Sequence, residues 1–126
     1  MDLVAFPIRG SNIAPIFDFS PWFLLVYSRS DGKTRSTKLH LQTLTATQKA
    51  RALLEAGVKT VICGCISDSF QETLEKLGIR VIWGITGPFK KVLESFRAKR
   101  LDNSPYRVLK QEGKGRKPSG FHRWTP

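Results

Sequence analysis

Cys63-Gly64-Cys65 holds the only two thiols of this chain, placed where an apolar run hands over to a helix. Thiolates are the protein ligands of iron–sulfur clusters, and a helix amino end favours the thiolate and offers N–H groups to an anion. One intervening glycine is too little chain for a low-strain disulfide, so the pair reads as reduced thiols. Cys65 lies nearer the turn and is the leading candidate ligand. Cys63 ends the apolar run and reads also as core, since unpaired cysteine is among the most buried residue types. Gly64, Gly84 and Gly87 mark two strand-to-helix turns, the places where α/β sheets hold ligands. His40 is a third candidate metal ligand, on the same rim if its strand runs parallel to its neighbours.

Catalysis has little to stand on. No Walker loop, GxSxG, HExxH or dinucleotide fingerprint occurs, and Gly84-Ile85-Thr86-Gly87 is too short to be one. A metal-dependent nuclease needs carboxylates gathered around magnesium, whereas Asp2, Asp18 and Asp68 are scattered. No catalytic residue is expected.

The elements that must position these residues follow from periodicity. Leu3 to Ile8, Trp22 to Ser28 and Thr34 to Leu41 read as strands, the last two joined by a Ser30-Asp31-Gly32-Lys33 turn. Val58 to Cys63 and Ile79 to Trp83 read as strands covered on both faces. Helices are expected near 46 to 56, capped by Thr45 or Thr47, near 68 to 77, with a Ser69–Glu72 capping box, and near 88 to 99, opening on Pro88. Gly57 and Gly78 close the first two. The order βββαβαβα implies an α/β domain with a mixed five-stranded sheet and helices over its faces.

Cys63-Gly64-Cys65-Ile66, a helix, Leu77-Gly78-Ile79-Arg80-Val81 and then Gly84-Ile85-Thr86-Gly87 resemble the dinitrogenase iron–molybdenum cofactor biosynthesis family, the NifX, NafY and NifB carboxyl-terminal type of domain. Ile13 to Asp18 resembles the loop before that family's second strand, with Asp18 where glycine is usual. The resemblance covers about residues 3 to 101. It implies a three-layer α/β/α, ribonuclease-H-like fold. It also implies a non-catalytic carrier of iron–sulfur or iron–molybdenum cofactor precursors, working with other proteins of metallocluster biosynthesis. Cys65, Cys63 and the glycine turns at Gly64, Gly84 and Gly87 are the local candidates for holding such a cofactor.

Charge opens a second reading. The formal net charge is +11, and the stretch from Arg97 to Arg123 holds nine lysines and arginines against two acids. Residues 102–126 therefore read as a basic, flexible tail beyond a domain at 1–101. Lys110, Lys114, Arg116, Lys117 and Arg123 could neutralise phosphates while Phe121 or Trp124 stacks on bases, which makes a nucleic-acid-binding module the alternative. No apolar run approaches the roughly 20 residues of a membrane span, and no secretory leader is visible, so the chain reads as cytosolic.

Overall fold

Leu3–Arg9 sends its side chains alternately into two buried surfaces, as a strand does at the centre of a sheet covered on both faces. This strand is β1 of a computed structural model that describes residues 3–28, 33–41 and 45–108. After it come β2 (Asn12–Ile13), β3 (Trp22–Ser28), β4 (Thr34–His40), α1 (Ala46–Glu55), β5 (Val58–Ile62), α2 (Asp68–Lys76), β6 (Arg80–Ile82) and α3 (Phe89–Arg97), then a 3-10 turn at Leu101–Asn103. Apart from Lys33, the expected hairpin turn lies outside the described residues, as does the basic segment beyond Val108. Among the described residues no helix is long and apolar enough to cross a membrane.

The sheet runs β4-β3-β1-β5-β6, with β2 on the far end of β1. It is mixed: β1 pairs antiparallel with β3, β3 antiparallel with β4, and β1, β5 and β6 are mutually parallel. Six strands are present where the sequence leads one to expect five. The sixth is β2, formed because Gly10 at φ +63° turns the chain back so that Ile13 faces Ile8. A two-residue ladder leaves no period in a sequence.

Helix ends show the capping chemistry, with two adjustments. Thr45 caps α1 and completes a capping box with Gln48. Ser67, not Ser69, caps α2, its Oγ accepting from the Phe70 N–H at 3.2 Å. Pro88 stands at the cap of α3 rather than inside its first turn. Gly57 and Gly78 take positive φ at the ends of α1 and α2, as expected.

Helices cover both faces. Ala50 and Leu53 of α1 with Phe70 and Leu74 of α2 pack on one face against Ala5, Phe23, Leu25 and Val61. On the other face Val92 of α3, flanked by Phe89, Leu93 and Phe96, packs on Val4, Phe6, Leu24, Ile62 and Ile82. Edge strand β4, polar at nearly every position, is exposed except for half-buried Leu39.

The carboxyl ends of β1, β4, β5 and β6 share one rim, because β4 reverses against β3 and β3 against β1. From there β1 leads away to β3 while β5 leads to β6, which opens a crevice between β1 and β5. The 10–21 loop fills it. The Cys65 N–H donates to Pro15 O at 2.9 Å and the Phe17 N–H donates to Cys65 O at 2.8 Å, extending the parallel ladder past the strand end. A side chain at Gly64 would enter this seam, with a Cβ 2.9 Å from Pro15 O and 3.4 Å from Ile85 O. Gly64→Ala should therefore cost about 1–3 kcal/mol of stability, through overpacking against backbone that cannot yield. Thermal denaturation should show this as a midpoint several degrees lower.

Candidate functional site

The two thiols separate into different environments. Cys63 is fully buried within the core under α1 and α2, beside Phe17, Phe70 and Trp83, whereas Cys65 is half-buried on the rim. Neither forms a disulfide. Four of the N–H groups at the turns donate to backbone carbonyls. The Cys65 N–H goes to Pro15, Gly84 N–H to Gly64 O, Ile85 N–H to Cys63 O and Thr86 N–H to Tyr106 O, all at 2.8–3.0 Å. Gly84 and Gly87 have φ of +78° and +116°, and a Cβ on Gly87 would lie 2.8 Å from the Tyr106 ring. These glycines serve chain reversal and close packing.

His40 does stand on the expected rim, at the end of β4, with its ring 4.5 Å from that of Trp22. Two strands lie between β4 and β5, which puts His40 roughly 14 Å from the cysteine turn at about 4.8 Å per strand. Among the described residues no three His, Cys, Asp or Glu side chains gather as a metal site.

The rim holds a different feature, a cavity of about 610 Å³ between β1, the 10–21 loop and the β3–β4 pair. Ile8, Ile16, Phe19 and Trp22 give it apolar walls, and Arg9 and Lys38 are its only charged lining residues among those described. Phe19 and Trp22 are 61% and 45% exposed, an uncommon position for large aromatic side chains. Volume, apolar walls and a few polar groups match a small-ligand site, and the charge selects an anion. Cys65 is one strand away, bridged to Ile16. Sequence reasoning passed over Arg9, Phe19, Trp22 and Lys38. Their only signal was two aromatic residues flanking Ser20-Pro21 in a long loop.

Beneath the loop lies a buried polar node. Lys49 of α1 is only 5% exposed, and its Nζ donates to Asp18 O at 3.0 Å and Ser20 O at 3.4 Å. The Asp18 carboxylate accepts from the Ser67 N–H at 3.0 Å and the Ser67 Oγ at 2.6 Å, so a negative charge also sits at the amino end of α2. Burial pushes the Lys49 ammonium below the ordinary lysine range, and the nearby Asp18 carboxylate pulls it part of the way back.

A mixed sheet under helices on both faces, with a cation-bearing cavity on its carboxyl rim, defines a small α/β domain. Residues 1–99 match the dinitrogenase iron-molybdenum cofactor family, and the chain belongs to that family. No curated protein matches it. Similar solved structures include PH0822, with TM-score 0.72 and 21% identity over 78% of this chain and 90% of that one. The apo form of the orange protein from Desulfovibrio gigas is similar at TM-score 0.66 and 18% identity, over 79% and 90% of the two chains. A candidate NifB protein from Thermotoga matches at TM-score 0.61 and 21% identity, over the same shares. At these identities the structures speak to the fold alone.

The two thiols should part in their effect on stability. Cys63→Ala leaves a void in a closed core and should cost about 1–2 kcal/mol, whereas Cys65→Ala on the rim should cost less than about 0.5 kcal/mol. Urea denaturation of the two variants measures both.

Proposed function

We propose that the domain at residues 1–101, a ribonuclease-H-like α/β/α unit, is a non-catalytic carrier. Its cargo is an anionic metal–sulfur species of the iron–sulfur or iron–molybdenum precursor type, passed to other proteins of metallocluster assembly. Membership of the iron-molybdenum cofactor family supports the direction of this reading. The observation that carries it to a place on the molecule is the rim cavity, where Arg9 and Lys38 face apolar walls and no carboxylate is among the lining residues described.

Each group then has a task. Arg9 and Lys38 neutralise the cargo, Arg9 with a fork of donors and Lys38 as a point charge. Phe19 and Trp22 shed water around it, which strengthens both ion pairs. Cys65 is the thiolate within reach of the wall, bridged to Ile16, with His40 packed at a tilt against Trp22. A single thiolate cannot by itself hold a cluster, so most of the affinity comes from charge and apolar contact, and Cys65 adds one soft ligand. Cys63 and the glycine turns support the site through the core and the seam.

Tetrathiomolybdate, a molybdenum–sulfur dianion with visible absorption, is a suitable probe. Binding should weaken with added salt, and Arg9→Ala with Lys38→Ala should lower the affinity by about 30-fold or more, at about tenfold per 1.4 kcal/mol. Cys65→Ala should lower it by less than about threefold, since the molybdenum of this probe already carries four sulfides and a thiolate can ligate it only by replacing one. Loss of binding with Cys65→Ala, and none with the double cation variant, would contradict this assignment.

A further inference from the structure

Phe19 is 61% exposed although Phe17, Asp18 and Ser20 around it are buried. A ring partly in water forgoes some hydrophobic gain, so the backbone on either side bears on where this ring stands. Both flanks are held. The Lys49 ammonium ties the carbonyls of Asp18 and Ser20 together, one on each side of Phe19. The Asp18 carboxylate is fixed to Ser67 by two bonds, the Ser20 N–H donates to Phe17 O at 3.2 Å, and the Ser20 Oγ donates to Trp22 O at 3.0 Å.

The choice of residue is informative. A buried ammonium is costly, and an apolar side chain packed against α2 would serve stability as well or better. What lysine supplies is a cluster of donors that can draw two carbonyls to one point, with the Asp18 carboxylate balancing its charge. Phe19, between the two anchored carbonyls, is among the residues that line the rim cavity.

We propose that Lys49 is a positioning residue which, through Asp18 and Ser20, holds Phe19 in place as a wall of the rim cavity, so that Lys49 and Phe19 act as one unit in retaining the anionic ligand. This rests on the rim cavity being the ligand site. Lys49 touches no ligand and Phe19 does. The two should therefore be coupled in binding, which a merely structural lysine would not show.

The test is a double-mutant cycle read by tetrathiomolybdate titration of the full chain, with folding checked by circular dichroism. Lys49→Met and Phe19→Ala should each weaken binding about tenfold, and the double variant should be no more than about twofold weaker than either one. Ser67→Ala, which removes one tie on Asp18 and is milder than Lys49→Met, should show a smaller loss that disappears in the Phe19→Ala background. Additive losses, or a Lys49→Met protein that is less stable but binds like the wild type, would overturn the inference. Should Lys49→Met not fold, an unchanged affinity in Ser67→Ala would overturn it alone. Arg9→Ala separates the two levels. If wild type binds and Arg9→Ala is weakened while the Lys49, Ser67 and Phe19 variants are unaffected, only the positioning role fails. If wild type does not bind, the cavity reading fails and takes this inference with it.

Discussion

Two hydrogen bonds between Cys65 and the 15–17 segment fix the loop on which the rim cavity depends. They fasten the 10–21 loop into the crevice between β1 and β5, a place where α/β sheets commonly admit a ligand. The crevice here is filled by backbone. Gly64 is required because Pro15 O occupies the space where its side chain would begin. Once the loop is seated, the remainder of the 10–21 segment must pass over the β1–β3 end of the rim, and the cavity forms beneath it. The open space on this rim thereby lies to the side of the cysteine turn, over the outer half of the sheet.

That placement changes the chemistry available. At the cysteine turn the Cys65 N–H is spent on Pro15 O, and one of the two sulfurs is sealed in the core. In the cavity two cations sit among aliphatic and aromatic walls. Arg9 and Lys38 are both exposed, so ion pairing alone contributes little there, and the apolar walls supply the other part of what this pocket offers an anion.

The elements that the sequence made legible are those with strong periods. The two strand-turn-helix units from Val58 to Arg97 matched closely because buried β-branched runs and amphipathic stripes leave clear periods, and Gly57 and Gly78 mark real helix ends. The parallel course of β4, which brings His40 to the rim, follows from hairpin topology and was foreseeable as a condition. Ser67 was missed as the cap because Ser69 with Glu72 presents an equally good local pattern, and only the contact with Asp18, 49 positions away, favours Ser67. The cavity was illegible for the same kind of reason. Arg9, Phe19, Trp22 and Lys38 come from three separate stretches, and no local rule joins them. Lys49 could be seen to lie beside Ala50 on a helix, but its burial depends on carbonyls supplied by a loop some 30 residues earlier.

The most direct measurement is a backbone and side-chain NMR titration of the labelled protein with tetrathiomolybdate. The account predicts that the perturbed resonances centre on Arg9, Ile16, Phe19, Trp22 and Lys38, with Cys65 at the margin and Cys63 unmoved. Perturbations centred on Cys63, Cys65, Gly84 and Gly87, with the Phe19–Trp22 segment silent, would contradict it and return the ligand to the cysteine turn.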